Sequence, residues 1–411
     1  MHFFPILSTL RRHRAASALI ALEIALTCAI VCNAIFLLHD RLSRMEHPSG
    51  VVEDELVVVR LTGTDAQSDA GSLTAQDLIA LRAIPGVRST AATNMVPFGS
   101  SSSNTDVSTV LDDVNSTSAG FFLGSADLLK TFGVKLIAGR DFVPDEYLDL
   151  ETVLANRGHI ASVIITRDLA ERWFPGKSPL GQALYVYGKE PQIIVGVIDR
   201  LARANDVARP NDVSAEVSGY AVVMPVRMSY AEGGGNYVLR VDPTRKGEVL
   251  AAVGPTLNRV SPSRIILDRQ TFAEVRQGFF KADRAMAYLL VGVSLALLIV
   301  TALGVVGLAS FWVQRRTRQI GVRRALGATR GDILRYFHLE NFILTSAGIV
   351  LGMALAYAMN LWLIHEYQVA RMPAGYLPVG AGLFWILGQI AVLGPAMRAA
   401  TIPPAIATRT V

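Results

Sequence analysis

The chain has 411 residues, of which 51% are hydrophobic, with two cysteines and a formal net charge of +5. Apolar residues gather in uncharged runs longer than a soluble core uses, which excludes an ordinary soluble protein, and two cysteines exclude a disulfide scaffold. The basic excess collects in one short stretch and carries no nucleic-acid signature, so no nucleic-acid partner is expected.

Residues 1–14 place Phe4, Leu7 and Leu10 at helical spacing beside Arg11, Arg12 and Arg14, which predicts an amphipathic helix in the inner membrane interface. Residues 15–39 read as the first transmembrane helix. The run is too long for the apolar region of a cleaved signal peptide and lacks an A-x-A-like exit, so an uncleaved anchor is expected. A lipoprotein-type cleavage before Cys28 is poorly matched by Ala25-Leu26-Thr27. Glu23 lies about a third of the way across. An ionisable group there is a functional candidate by default, set against a carboxylate that snorkels or pairs with an arginine at the inner surface.

Residues 40–271 predict a mixed α/β extracytoplasmic domain of one or two subdomains. Strands are expected at 56–61, 162–166, 193–198, 221–226, 237–241 and 264–267, where β-branched residues are bounded by turn formers. Helices are expected at 74–84, 126–132, 168–174 and 247–260, the first three stopped by Pro85-Gly86, Gly133 and Pro175-Gly176. The Ser-rich run 99–105 reads as a mobile loop. Both cysteines, Cys28 and Cys32, fall in the first span, so this domain stands on an ordinary core, with no thiolate metal site expected. Its histidines are His47 and His159, and it has no H-E-x-x-H or G-x-S-x-G, so no catalytic or metal residues are proposed.

Residues 272–313 predict a stalk that continues into the second span, because Phe272, Val275, Phe279, Ala282 and Met286 recur at spacings of three and four. Residues 314–340 form a basic elbow, in which seven arginines (Arg315, Arg316, Arg318, Arg323, Arg324, Arg330 and Arg335) face Asp332 and Glu340. Its pattern predicts a short helix carrying Ile320, Val322 and Leu326, closed by Gly327 as a left-handed C′ residue. Thr329 and Asp332 then read as a capping box that starts the next helix. The arginines alone could be no more than a topology marker gripping lipid headgroups, whereas the caps make the stretch a jointed element.

The third span, 341–364, carries Gly348, Gly352 and Ala356, a small-residue stripe for close helix packing within the chain or across a dimer. A short outer loop, 365–375, holds Glu366 and Arg371, and the fourth span, 376–397, is expected to end at Pro395. The tail 398–411 carries Arg398 and Arg409, with Pro403-Pro404 barring further helix. Lysine and arginine placement puts both termini and the elbow inside. The fold class is thus a four-span α-helical membrane protein, one span plus three, with a large α/β domain between the first two.

The elbow RRTRQIGVRRALGATRGDIL and the tail PAMRAATIPPAIATR resemble the signatures of MacB/FtsX-type ABC transporter permeases. GVKLIAGRDF, RWFPGKSPLGQAL and IIVGVIDR resemble pieces of that family's periplasmic core domain, so the likeness covers nearly the whole chain. Two departures stand out. Gln319 occupies the usual Glu position, and Met397, Thr401, Ile406 and Thr408 replace usual tail charges, as would suit one member of a heteromeric pair. The sequence given also contains no G-x-x-x-x-G-K-[ST], unlike the ATPase-fused MacB itself.

The resemblance implies a non-catalytic permease subunit of a bacterial inner membrane, in which a separate cytosolic ATPase binds ATP and Mg, with no cofactor in this chain. It implies that Gln319, Ile320, Gly321, Arg323, Arg324, Ala325, Leu326, Gly327 and Ala328 contact that ATPase. A second permease copy, identical or not, is a further implied partner, as are membrane lipids and conceivably a periplasmic adaptor and outer-membrane channel. By mechanotransmission the machine would export or extract a hydrophobic compound, peptide or lipoprotein. An FtsX-like regulator that activates a periplasmic cell-wall hydrolase is the alternative, disfavoured by the length of the external domain. A membrane-anchored enzyme has only that domain's size in its favour.

Overall fold

The computed structural model describes residues 14–63, 70–111, 115–155, 157–204, 219–230, 235–262, 264–367 and 371–401. The expected amphipathic helix at 1–14 and the tail beyond Thr401 lie outside the described residues. The chain divides into two compact units, one of residues 1–46 with 283–411 and the other of residues 47–282.

Eight helices of eight residues or more are labelled in chain order: α1 Arg14–Met45, α2 Ala70–Arg82, α3 Lys246–Val260, α4 Phe272–Phe279, α5 Lys281–Arg315, α6 Thr317–Ala325, α7 Arg330–Tyr367 and α8 Tyr376–Thr401. Four of these (α1, α5, α7 and α8) are long and apolar enough to cross a membrane. Strands are β1 Leu56–Gly63, β2 Val87–Thr93, β3 Asn104–Val107, β4 Thr117–Gly124, β5 Leu136–Gly139, β6 Leu148–Asp149, β7 Ser162–Thr166, β8 Ala183–Leu184, β9 Gln192–Ile198, β10 Ala221–Arg227, β11 Gly235–Val241 and β12 Arg264–Thr271.

In the large unit these strands form one sheet, whose main path runs β12-β1-β11-β2-β4-β10-β7-β9-β5. Its first four strands are mutually antiparallel. With α2 between β1 and β2, and α3 between β11 and β12, they make a ferredoxin-like βαββαβ lobe. Val57, Val59, Leu61, Tyr237 and Leu239 alternate onto one face and pack beneath Leu81, Val249, Val253 and Leu257. Between β2 and β11 the chain inserts a second lobe, where β4 and β10 are parallel, as are β7 and β9. Its own core gathers Val163, Ile165, Leu169, Val197, Val222 and Met224.

A buried polar pin secures the first lobe. Asp77 of α2 takes a hydrogen bond from the Tyr237 hydroxyl at 2.7 Å and an ion pair from Arg264. Burial pushes the Asp77 carboxyl up, against the pull of Arg264 and the Tyr237 hydroxyl, and pushes the Tyr237 phenol well above its ordinary range.

Three expectations are corrected. The stalk is not one continuous helix, since α4 stops at Phe279 and α5 starts at Lys281. Phe280 stands between the two helices, with its ring buried against Phe98 and Phe279 at centroid distances of 5.3 and 4.8 Å. Nor does the last span end at Pro395, because α8 runs on to Thr401 with Pro395 buried inside it. Apolar spans tolerate such a proline when neighbouring groups compensate the lost bond. The 99–105 run is fastened rather than loose: Ser100 takes a hydrogen bond from Arg60, Ser103 accepts one from the Phe121 amide at 3.0 Å, and Thr105 donates to the Val186 carbonyl at 2.7 Å.

In the smaller unit α1 lies at the centre of an apolar cluster in which Ile24, Cys28 and Cys32 meet Leu344, Ile349, Ala381 and Phe384. Gly348 and Gly352 of α7 permit this approach. A Cβ on Gly352 would sit 2.7 Å from Cys28 Cβ and 2.8 Å from the Ala25 carbonyl oxygen, and one on Gly348 would sit 2.8 Å from Ile24 Cβ. Ala356 is fully buried, and its carbonyl accepts from Asn33 Nδ2 at 3.0 Å. All three therefore face α1 within the chain. Gly380 of α8 does the same for Cys32, a contact that no local pattern in α8 signals. Glu23 lies against Gly304 of α5, whose added Cβ would meet its carboxylate oxygen at 2.8 Å.

Candidate functional site: the basic elbow

α5 ends at Arg315, and the chain turns at Arg316 because that side chain points inward rather than out to the basic surface. Its Nη1 donates to both carboxylate oxygens of Glu340 on α7, at 3.0 and 2.8 Å, while the guanidinium lies 5.4 Å from the Trp312 ring centre. Glu340 is 1% exposed. One of the seven arginines is thus an internal strut, so the charge count overstates the cationic surface. Nothing in the sequence could show this, since the partners lie 24 positions apart, one in the turn after α5 and the other within α7.

α6 then runs for nine residues with two distinct stripes. Ile320 and Gly321 are buried, with Thr317 and Arg324 half-buried on the same side. Ile320 is clustered with Ile333 and Phe337 of α7 and with Ala396, Ala399 and Ala400 of α8. Burying an Ile side chain this fully contributes roughly 1.5–3 kcal/mol, enough to fix so short a helix in place. Gln319, Val322, Arg323 and Leu326 occupy the opposite stripe and are exposed, Leu326 at 83%. Arg323 reaches across so that its guanidinium lies 4.9 Å from the Tyr336 ring centre.

The helix is closed by a Schellman motif. Gly327 has φ +97°, its amide donates to the Arg324 carbonyl at 3.1 Å, and the Ala328 amide donates to the Arg323 carbonyl at 3.0 Å. A Cβ at position 327 would strain this left-handed turn. The capping box follows at once, with the Thr329 amide donating to Asp332 Oδ2 at 2.9 Å and the Asp332 amide donating to Thr329 Oγ1 at 3.2 Å. Only Gly327 and Ala328 lie between the C-cap, Leu326, and the N-cap, Thr329, so the joint between α6 and α7 has little slack.

The nine elbow residues marked as candidates therefore divide. Gln319, Arg323, Ala325, Leu326 and Gly327 are exposed, Arg324 and Ala328 are half-buried, and Ile320 and Gly321 serve the protein's own packing. Chemically the elbow offers an apolar tip, Leu326, ringed by cationic side chains. Among the described residues no group of three or more His, Cys, Asp or Glu side chains is arranged to hold a metal.

Comparison with known proteins matches residues 17–256 to the MacB-like periplasmic core domain and residues 291–404 to the FtsX-like permease C-terminal domain. The chain is 27% identical over 283 residues to the macrolide export ATP-binding/permease protein MacB of Agrobacterium fabrum, covering 68% of this chain and 41% of that one. It is 26% identical over 285 residues to the uncharacterised ABC transporter permease YknZ of Bacillus subtilis, covering 67% and 66%. It is also 26% identical over 257 residues to the pyoverdine export ATP-binding/permease protein PvdT of Pseudomonas entomophila, covering 60% and 37%. The chain thus spans about two fifths of the MacB and PvdT relatives and just under two thirds of YknZ. The periplasmic region of MacB from Actinobacillus actinomycetemcomitans aligns with a TM-score of 0.34 at 14% identity, covering 57% of this chain and 95% of that one.

Proposed function

Because the chain belongs to the family of ABC transporter permeases that join a MacB-like periplasmic core domain to an FtsX-like permease domain, we propose that it is the mechanotransmission subunit of an export system. It is a multi-pass inner-membrane protein with four candidate spans. In this reading both termini and the elbow are cytoplasmic, and a separate cytosolic ATPase docks on the outward stripe of α6. ATP-driven closure of that ATPase would move the spans and, through them, the large domain. The cargo class is a hydrophobic compound, peptide or lipoprotein, and export is favoured because relatives bear the names of macrolide and pyoverdine exporters.

The observation that supports this reading best is Leu326. A large apolar side chain, 83% exposed at the tip of a helix closed by caps, adds little to this chain's own core and is suited to a partner's surface. The test is co-purification of the cognate ATPase with Leu326→Asp and with the double reversal Arg323→Glu/Arg324→Glu. Both variants should lose the ATPase and ATP-dependent export while keeping the parental melting temperature. Retained ATPase binding with Leu326→Asp would overturn the docking assignment.

A further inference from the structure

The ferredoxin-like lobe packs α2 and α3 against one face of its sheet, and the other face floors a cavity of about 310 Å³ that opens to solvent. The pleat dictates the floor. With Val57, Val59 and Leu61 turned to the helices, Val58 and Arg60 must face the cavity. Register places Arg60 abreast of Asn236 on β11 and of Asp268 on β12, with Gln270 beside Val58. Three polar side chains thus stand in a row across three strands. The walls are apolar, supplied by Val96 and Phe98 on one side and by Val275 and Phe279 of α4 on the other.

Two features mark this as a built cavity rather than a packing gap. The first is Phe98, at φ +58°, a left-handed conformation that costs a bulky residue about 1–3 kcal/mol. It is held by the rings of Phe279 and Phe280, both with centroids at 5.3 Å, and by the Arg276 guanidinium at 5.0 Å. Gly99 belongs to the same turn, since a Cβ there would lie 2.7 Å from Val96 Cγ2. The second is the state of the charges. Arg60 donates to the Ser100 hydroxyl, yet its Nε is buried with no acceptor. Asp268 accepts from Gln270, and among the described residues neither Arg60 nor Asp268 forms an ion pair although they are cross-strand neighbours. A cation and an anion held side by side and unpaired, with aromatic walls above them, ask for a ligand bearing both complementary charges on neighbouring atoms.

We propose that this cavity binds a small zwitterion with an apolar body, of the class of an apolar or aromatic α-amino acid. Its carboxylate accepts from Arg60, its ammonium donates to Asp268, and its side chain lies between Phe98 and Phe279. The volume falls at the lower end of the range that small-molecule pockets occupy, about 300–1,000 Å³. A simple anion would meet Asp268 and a simple cation would meet Arg60, so charge selects for the zwitterion over either. The site goes beyond the export reading and stands or falls apart from it.

The test is equilibrium binding of radiolabelled L-phenylalanine to the full chain in lipid nanodiscs. Saturable binding is expected, with L-phenylalaninamide and N-acetyl-L-phenylalanine each competing at least about tenfold worse, because each leaves one of the two half-buried charges unanswered. Arg60→Met should erase the difference between phenylalanine and its amide, and Asp268→Asn the difference between phenylalanine and its acetyl derivative. Absence of saturable binding up to millimolar ligand would overturn the proposal, as would equal competition by all three compounds. The analogue comparison uses the unaltered chain and decides the matter even if a variant fails to fold.

Discussion

Removing the Glu340 charge while leaving Arg316 in place should destabilise the protein far more than removing both. Arg316 Nη1 reaches both carboxylate oxygens, at 2.8 and 3.0 Å, with side chains 10% and 1% exposed, so neither ion has much water to fall back on. Arg316 already has one buried nitrogen, Nη2, without a partner. Glu340→Leu alone would leave a nearly buried guanidinium without its counter-charge, and Arg316→Met alone a buried carboxylate without its own, each at a cost of about 3–5 kcal/mol. The double variant Arg316→Met/Glu340→Leu removes the desolvation penalty together with the attraction, and its expected cost is about zero. The assay is a double-mutant cycle on detergent-solubilised full chain, read as the unfolding free energy in a denaturant titration. A coupling of at least about 2 kcal/mol is expected, well above the few tenths seen for independent sites. If the two single variants simply add to the double, the inward turn of Arg316 does not fix the joint between α5 and α7, and the account of the elbow as a braced element fails.

Gly352→Leu should force α7 away from α1, since its first added atom would lie within 2.8 Å of the Ala25 carbonyl oxygen and Cys28 Cβ. Overpacking of this kind costs about 1–3 kcal/mol, whereas Gly307→Leu on α5, where a Cβ meets nothing within 4 Å, should be close to neutral in the same titration. Acid should weaken the large domain through Glu146. Its carboxylate accepts two hydrogen bonds from Arg140 at 2.8 Å, and this, with the Val143 amide, holds it down at about 2. A depressed carboxyl contributes stability that is present above its ordinary range near 4.5 and is lost as pH falls toward 2. Because Arg140 is half exposed, screening trims the contribution to about 1 kcal/mol. Glu146→Gln should therefore lower the melting temperature at pH ~6 but not near pH ~2; an equal deficit at both would refute the assignment.

What the sequence disclosed was whatever depends on near neighbours. An uncharged run long enough to span a bilayer announces itself, and so do the elbow's caps, where Gly327, Thr329 and Asp332 act within a few positions. Strands rich in β-branched residues, such as Ser162–Thr166, were legible for the same reason. β2 and β4 were not, because VRSTAAT and TSAGFFLG draw their strand character from being covered on both sides rather than from composition. Insertion of the second lobe was invisible: Thr93 pairs with Asn236 across a long excursion of chain, and no local signal reports it. The break at Phe280 was not legible, because Phe272, Val275, Phe279, Ala282 and Met286 keep helical spacing straight across it. The Arg60 and Asp268 pair gave no signal at all, since each alone is an unremarkable strand charge.

The elbow makes more physical sense as a transmitter than as a lipid anchor, and the reason lies in its two opposite stripes. A headgroup anchor needs only cations on flexible stems, and nothing in that role calls for a Schellman closure followed at once by a capping box. Here the inward stripe is committed to two separate spans, through Ile333 and Phe337 on α7 and Ala396, Ala399 and Ala400 on α8. Arg316 adds a third tie, from the end of α5 to Glu340 on α7. A displacement applied at Leu326 would therefore reach three of the four candidate spans through close-packed or ion-paired contacts, with little compliant chain between. Close-packed interiors transmit strain rather than absorb it. Gln319 is exposed on the outward stripe and bears on none of these ties, so under the proposed docking its departure from the usual glutamate would alter the surface offered to the ATPase and leave the three ties intact.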